Sequence, residues 1–246
     1  MHRFFLPADW IAQSTVVITG KLVHQMRIVL RLGPDDHITV LDNSGWEYDV
    51  ELQKVDSSKV EGRVISKSLA VAEPGTKITL YQAVLKGSNF EFVLQKCTEI
   101  GVAGFVPVIC ERCVAGEPDS KRLSRWRSII TEAAEQSKRG KLPVLHNVIS
   151  FNEACRSARG MSLLPWEGEK IKSIAEVLRN CSKTEKAPEV SIFIGPEGGF
   201  STREVEFARG CGIVPISLGR RILRAETAGL VAAAVALYEF GELVPC

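Results

Sequence analysis

The segment from Val190 to Glu226 reads VSIFIGPEGGFSTREVEFARGCGIVPISLGRRILRAE, and it decides the fold. Two short apolar runs in this segment end in glycine, and a helical stretch separates them. Because Ser201 and Glu204 have the spacing of a capping box, a helix is predicted from about Ser201 to Gly210. This succession of strand, glycine loop, helix, strand and second loop is typical of an open α/β sheet. Ligands of such sheets bind in the loops beyond the carboxyl ends of the strands.

The first glycine loop runs from Gly195 to Gly199 and is neither a dinucleotide fingerprint nor a Walker A loop. Ser201 already occupies one amide at the helix start, and Glu197 adds negative charge, so both residues disfavour a phosphate ligand. Bare backbone with one carboxylate suits a neutral or cationic ligand, such as an adenosine that carries a sulfonium. A tight glycine turn without any ligand is the alternative interpretation of the same residues.

Composition indicates a globular protein of one large or two modest domains, with 246 residues, 45% hydrophobic and 24% charged residues, and a net charge of +2. The longest strongly apolar stretch, Leu230 to Leu237, is too short to span a bilayer. The N-terminal residues MHRFFLPADW do not form a secretory signal. We therefore expect a cytoplasmic protein with no membrane partner.

The seven cysteines do not indicate a disulfide framework, because their number is odd. Cys110 and Cys113 form a lone C-x-x-C pair, without the second pair or the two neighbouring histidines that a zinc site requires. The surrounding chain is predicted to be extended, whereas a thioredoxin-like motif opens a helix. We therefore expect reduced structural thiols and no metal.

Positive charge is concentrated between Lys121 and Lys141, where the local net charge is +5 and the rest of the chain sums to −3. A helix is predicted from about Arg122 to Arg139, with exposed arginines and an apolar stripe. Such a basic face is the footprint of a nucleic-acid partner, although a solvated helix surface has the same appearance. The predicted stripe comprises Leu123, Trp126, Ile130 and Ala133.

The first 72 residues predict a small β-rich domain, because several short segments alternate apolar and polar residues between turn signals. A boundary is predicted at Glu73-Pro74-Gly75. Beyond it, a strand, a helix capped by Ser88 and Glu91 and a second strand predict a parallel sheet with helices on both faces. The predicted strands are 38–41, 48–55, 59–65, 77–84, 102–109, 161–166, 190–194 and 214–218. The helix predicted within the β-rich domain has Leu22, Met26, Val29 and Leu30 on its apolar face.

GPEGGFS followed by LGRRILRAETA resembles the C-terminal signature of the bacterial 16S ribosomal RNA uridine-N3 methyltransferases, the RsmE family of the SPOUT superfamily. Three further stretches are similar to the same family: RFFLP from Arg3, LKGSNFEFVLQKCTEIGV from Leu85, and ERC followed by AAEQSKR from Ala133. The resemblance covers nearly the whole chain in the same order.

The resemblance implies an α/β fold with a SPOUT-type trefoil-knotted parallel sheet over residues 73–246, preceded by a PUA-like β-barrel over residues 1–72 that binds RNA. It also implies a homodimer that completes the active site. The last predicted helix, from about Glu226 to Phe240, is apolar on almost every face, which is consistent with burial in the sheet packing or against a second subunit.

The implied reaction is methylation of uridine N3 in 16S ribosomal RNA within the 30S subunit, with S-adenosyl-L-methionine as donor. Arg224 is the candidate catalytic cation, and Glu197 and Glu226 are candidate general bases. The implied cofactor-binding residues are Leu164, Glu167, Ile194, Gly195, Pro196, Glu197, Gly198, Gly199, Leu218, Gly219, Ile222, Leu223 and Thr227. The candidate RNA-binding residues are Arg3, His24, Arg27, Arg112, Arg125, Gln136, Ser137, Arg139, Arg220 and Arg221.

Two alternatives compete with this interpretation. One is a SPOUT enzyme that methylates another position, such as a ribose 2′-hydroxyl. The other is a non-enzymatic RNA-binding or ribosome-assembly protein whose cofactor site has degenerated. The intact glycine loops count against the second alternative, and binding of S-adenosyl methionine would separate it from both enzymes.

Overall fold

The structure is a computed structural model that describes residues 1–12, 14–182 and 188–244. Its contacts divide the chain into two compact units. The first comprises Met1–Glu73 with Ala134–Leu142, and the second comprises Pro74–Ala133 with Pro143–Cys246. Among the described helices, none has both the length and the apolar content that crossing a membrane requires.

The first unit is built on a five-stranded sheet in the order β1-β3-β4-β5-β2. Strands β1 and β3 pair in parallel, and the other neighbours are antiparallel. The three predicted strands lie within β3, β4 and β5, whereas β1 and β2 were not predicted. The bounds are β1 His2–Phe5, β2 Thr15–Thr19, α1 Lys21–His24, β3 His37–Leu41, β4 Trp46–Val55 and β5 Lys59–Leu69.

The helix of this unit departs from its predicted pattern. After α1 the chain continues as a π-helical turn over Gln25–Val29, so the regular helical period ends at His24. Met26 is fully buried as predicted, but Val29 is 66% exposed and does not belong to the apolar face.

The second unit is an α/β structure whose sheet has the strand order β12-β10-β11-β6-β7-β8, with β9 also beside β7. All of its strand pairs are parallel. The strands are β6 Lys77–Ala83, β7 Gly104–Ile109, β8 Val144–Leu145, β9 Ile149–Ser150, β10 Met161–Pro165, β11 Glu189–Ile194 and β12 Val214–Ile216. The helices are α2 Asn89–Ile100, α3 Ser120–Gln136, α4 Phe151–Ser157, α5 Ile174–Ser182, α6 Thr202–Gly210 and α7 Ala225–Glu239.

Helices cover both faces of this sheet, which confirms the predicted layering. Alternate strand residues such as Leu80 and Ile192 pack with α2, α3, α5 and α7 on one face. Tyr81 and Phe193 stack on the other face, in a cluster with α4 and α6. The parallel strands are therefore buried on both sides, as their nearly continuous apolar sequences require.

Helix α2 ends as predicted but begins differently. Gly101 closes it with φ of +112°, a conformation that favours glycine. The predicted capping box is wrong, because Ser88 makes no side-chain cap. Glu91 instead accepts two hydrogen bonds from Arg125, at 2.6 and 2.8 Å. Arg125 of α3 thus binds the Glu91 carboxylate, which the local sequence pattern had assigned to the capping box of α2.

Candidate active site

The three loops that follow β10, β11 and β12 lie at one edge of the sheet, because these strands are adjacent and parallel. Backbone hydrogen bonds hold the chain after β12 on both sides. Trp166 donates to the Ile216 carbonyl at 2.9 Å, and Ser217 donates to the Lys172 carbonyl at 2.8 Å. The Ser217 carbonyl in turn accepts from Ile174 at 3.2 Å.

The loop after β11 is a tight turn that leads into α6. The Gly199 amide donates to the Pro196 carbonyl at 2.9 Å, and Gly199 has φ of +67°. Ser201 caps α6 with the complete capping box that the sequence predicts, and the Glu204 carboxylate accepts from the Ser201 amide at 2.8 Å. The predicted start and end of this helix are confirmed.

Two neighbouring loops contact the glycine loop. Glu197 accepts from the backbone amide of Lys86, after β6, at 3.0 Å. Arg112, after β7, donates from Nη1 to the Gly198 carbonyl at 2.9 Å. Glu111 also contacts the end of this loop, because its amide donates to Glu204 and its carboxylate accepts from Ser201 Oγ.

Sequence reasoning assigned no role to Lys86 or Glu111. Their partners lie 111 and about 90 residues away along the chain, so no local pattern could reveal the contacts. The only available signal was that both residues belong to stretches similar to the RsmE family.

The loop after β12 carries exposed positive charge. Gly219 has φ of +108°, and its amide donates to Ser217 Oγ at 3.2 Å. Arg220, Arg221 and Arg224 are exposed, and none forms an ion pair with the part of the chain that the structure describes. The backbone amides of residues 220–224 likewise donate to no described group. Ile222 is 83% exposed and Leu223 is half-buried.

Helix α7 begins directly after this loop. Arg224 is its N-cap residue, but its side chain makes no cap. The Arg224 carbonyl accepts from Thr227 at 2.9 Å, and Glu226 and Thr227 are both half-buried. The structure therefore brings the three candidate catalytic residues and the predicted cofactor loops to one edge, with Glu197 already engaged by Lys86.

The side chains of three predicted cofactor residues are buried. Leu164 is fully buried, Ile194 is 3% exposed and Pro196 is also buried, so these residues face a ligand mainly through their backbone groups. Glu167, after β10, is exposed.

The Cys110 and Cys113 thiols lie where the loop after β7 begins. Cys113 Sγ accepts from the Cys110 amide at 3.3 Å. Hydrogen bonds from the Cys110 thiol and from backbone amides outweigh burial and lower the pKa of Cys113 to about 7. The same thiol–thiol hydrogen bond, together with burial, raises the pKa of Cys110. Among the described residues, no group of three or more metal-ligating side chains forms a metal site.

The candidate RNA-binding residues of the second unit are exposed. Arg112 and Arg125 are held by Gly198 and Glu91, whereas Arg220 and Arg221 have no such partner among the residues that the structure describes. Helix α3 ends at Gln136 rather than near Arg139.

The candidates of the first unit differ in accessibility. His24, Arg27 and Gln136 are exposed, and Ser137 is half-buried. Arg3 is paired with Glu47 at 2.7 Å and its side chain is 12% exposed. The predicted exposure of Arg139 is wrong, because its side chain is 3% exposed and binds Glu73.

Comparisons with known proteins place the chain in a family. A family model described as an RNA methyltransferase domain matches residues 72–237. Ribosomal RNA small subunit methyltransferase E of Bacillus subtilis is 33% identical over 248 residues, which cover 97% of both chains. The protein of that name from Synechocystis is 32% identical over 95% of this chain and 76% of its own.

Solved structures agree with these sequence relatives. Ribosomal RNA small subunit methyltransferase E of Neisseria gonorrhoeae, bound to S-adenosyl methionine, superposes with a TM-score of 0.88 at 30% identity over 99% of this chain and 100% of its own. A putative methyltransferase of Legionella pneumophila in complex with the same cofactor gives 0.87 at 29% identity over 96% of each chain. The chain thus belongs to the RNA methyltransferases, in the family of ribosomal RNA small subunit methyltransferase E.

Proposed function

We propose that this protein transfers the methyl group of S-adenosyl methionine to N3 of one uridine in 16S ribosomal RNA. The observation that carries the proposal is the convergence, at one edge of the parallel sheet, of two glycine-containing loops and Arg224, which has no ion-pair partner among the described residues. Relatives named ribosomal RNA small subunit methyltransferase E, and solved relatives with bound cofactor, support it.

The loops fit a cofactor that needs backbone partners. A Cβ added at Gly195 would approach the Phe200 ring at 3.2 Å, and one at Gly198 would approach Arg112 Cβ at 3.3 Å. Gly199 and Gly219 adopt positive φ, so larger residues would strain both loops. The residues that would hold the cofactor are Leu164, Glu167, Ile194, Gly195, Pro196, Glu197, Gly198, Gly199, Leu218, Gly219, Ile222, Leu223 and Thr227.

Bound S-adenosyl methionine supplies an electrophilic methyl carbon on a positively charged sulfur. Uridine N3 carries a proton at neutral pH, so its lone pair becomes nucleophilic when that proton leaves. The Arg224 cation stabilises the negative charge that develops on the ring, and the loops contribute by aligning the reactants. Arg224 suits this role because it is exposed at the site without an ion-pair partner among the described residues.

Glu226 is the better placed of the two candidate bases for the N3 proton. It is half-buried in the first turn of α7, two residues from Arg224, and no described hydrogen-bond donor engages it. Glu197 instead accepts from the Lys86 amide, which fits a role in holding the glycine loop.

The RNA is held by exposed basic groups of both units. In the second unit these are Arg112, Arg125, Arg220 and Arg221, and in the first unit, as a PUA-like barrel, they are His24 and Arg27. Arg3 and Arg139, which were also candidates, are engaged by Glu47 and Glu73 and support the fold of the first unit. Gln136 and Ser137 lie beside Arg139 in sequence. Because N3 is on the Watson–Crick edge, the target uridine must be unpaired or extruded.

The protein acts in the cytoplasm as a homodimer with a trefoil knot in its second unit. The knot is supported by the path of the chain around Ser217, which hydrogen-bonds to the 172–174 segment while Ile216 bonds to Trp166. The dimer is supported by an outer apolar stripe on α7, formed by Val231, Ala234 and Tyr238.

Transfer of labelled methyl groups to unmodified 30S subunits and to free 16S RNA, with mass spectrometry of the product nucleoside, tests the proposal. The expected product is 3-methyluridine, and comparison of the two substrates shows whether an assembled subunit is required. A 2′-O-methyl nucleoside would refute the N3 assignment. Failure to bind S-adenosyl methionine would refute the enzymatic function and favour an assembly factor.

A further inference from the structure

A closed set of hydrogen bonds ties the loop after β7 to the end of the glycine loop. Ser201 Oγ donates to Glu111 Oε2 at 2.7 Å and accepts from the Glu204 amide at 3.3 Å. Glu204 Oε1 accepts from the Glu111 amide at 2.8 Å, and Oε2 accepts from the Ser201 amide at 2.8 Å. Each of the three residues thus binds both of the others.

The capping box at the start of α4 offers a comparison with the capping box of α6. Ser150 and Glu153 are exposed, and the Ser150 hydroxyl donates back to Glu153. In the box of α6 the corresponding hydroxyl proton goes to Glu111 instead. Ser201 and Glu204 are also buried, at 5% and 7% exposure.

Because Ser201 and Glu204 are buried, losing these hydrogen bonds is costly. A buried carboxylate is costly unless its oxygens are satisfied, and within the described residues the Glu111 amide is the only donor to the second Glu204 oxygen. The loop after β7 is therefore required to complete the start of α6, and the position of one segment determines that of the other.

The glycine loop is held at further points by the same neighbours. Arg112, adjacent to Glu111, donates to the Gly198 carbonyl, and the Lys86 amide donates to Glu197. The segment from Glu197 to Glu204 is thus tethered at its beginning, middle and end. None of these tethers uses the backbone amides of residues 220–224, which donate to no described group.

We propose that Glu111 is a positioning residue, which acts through Ser201 to hold the glycine loop in its cofactor-binding conformation. The inference rests on the proposed function, because it assumes that this loop binds S-adenosyl methionine. Loss of the tether lets the loop populate other conformations, and the apparent affinity falls by the fraction of molecules that leave the binding conformation.

Titration calorimetry with S-adenosyl methionine on Glu111→Ala, Glu111→Gln and Ser150→Ala tests the inference. Glu111→Ala should weaken binding by about tenfold, the scale of one lost hydrogen bond to a charged group. Glu111→Gln keeps an acceptor for the Ser201 hydroxyl and should recover most of the affinity. Ser150→Ala removes the hydroxyl of the other capping box and should leave binding unchanged.

Kinetics separate positioning from a catalytic or merely structural role. Glu111→Ala should raise KM for S-adenosyl methionine while kcat at saturating cofactor stays within about twofold of wild type. If the alanine variant does not fold, Glu111→Asp, which is too short to reach Ser201 at 2.7 Å, should show the same shift in affinity.

Binding by Glu111→Ala that matches wild type would overturn the positioning role and leave the proposed function intact. A loss shared equally by Ser150→Ala would also overturn it, because the effect would then follow from destabilisation alone. Wild-type protein that does not bind the cofactor would overturn the proposed function and this inference together.

Discussion

The Arg139 guanidinium donates to both carboxylate oxygens of Glu73, at 3.2 Å from Nε to Oε1 and 3.0 Å from Nη2 to Oε2. Glu73 Oε1 also accepts the backbone amides of Gly140 and Lys141, at 3.0 and 3.1 Å. This pair joins the two chain segments that make up the first unit. A buried guanidinium with an exposed fraction of 3% needs such a partner.

Glu73→Ala should lower the free energy of unfolding by about 3 kcal/mol, because it leaves the Arg139 charge buried without this partner. Urea unfolding followed by circular dichroism measures the change. Glu51→Ala is the matched control, since it removes an ion pair with Arg63, whose side chain is 57% exposed, and should change the urea midpoint little. Equal losses in the two variants would contradict the structural role.

Gly199→Ala and Gly219→Ala should each weaken binding of S-adenosyl methionine by about tenfold. Both glycines have positive φ, and an added Cβ would meet nothing within 4 Å, so the penalty comes from backbone strain alone. Titration calorimetry measures the affinity.

Gly210→Ala is the control for both glycine variants. Gly210 is the last residue of α6, its φ is not positive and the space around it is open. Alanine there should leave cofactor binding unchanged, because it favours the helix without straining the backbone. Unchanged affinity in the Gly199 and Gly219 variants would show that the loops do not need these conformations.

Local signals predicted the parts of the fold that depend on local chemistry. The Ser201 capping box, the glycine end of α2 and the buried strands were confirmed, because residues within a few positions determine each of them. The same kind of signal failed at Ser88, where an arginine 34 residues from Glu91 competes for the carboxylate.

Most of the features that could not be predicted from the sequence depend on contacts between segments that are distant along the chain. Strand β1 is short and pairs in parallel with β3, which only the folded sheet can specify. Arg139 was predicted to be exposed because it lies outside the apolar stripe of the predicted helix. Its partner Glu73 is 66 residues away, so no local pattern reveals the pair. In the candidate site, family resemblance named the loop residues, whereas the tethers through Lys86 and Glu111 required three-dimensional contacts.

Arg224→Ala should lower kcat by about 100-fold with little change in cofactor affinity, because the arginine stabilises charge that develops only during the reaction. Arg224→Lys should recover part of the rate. Arg203→Ala is the control, since Arg203 is exposed on α6 and has no ion pair with a described residue. A rate loss in Arg203→Ala of similar size would point to general electrostatics instead.

Cys113 should be the first thiol of its loop to react with iodoacetamide as the pH rises. Its pKa is lowered to about 7, so its thiolate fraction increases steeply between about pH 6 and 8. Burial raises the pKa of Cys97 and Cys155 to about 12, so both should stay unmodified. Peptide mass spectrometry measures the labelling, and Cys113→Ser identifies the peptide. Labelling of Cys97 at the same rate would contradict the assignment.

Tyr238→Glu should convert the proposed homodimer into a monomer. Tyr238 is 70% exposed and aligns with Val231 and Ala234 on the outer face of α7, opposite the residues that pack on the sheet. A charge there would be buried without a partner in a dimer that uses this face. Light scattering after size-exclusion chromatography measures the mass. Val71→Glu, at a site that is 82% exposed in the first unit, should not change it. A dimer that persists in Tyr238→Glu would place the interface elsewhere.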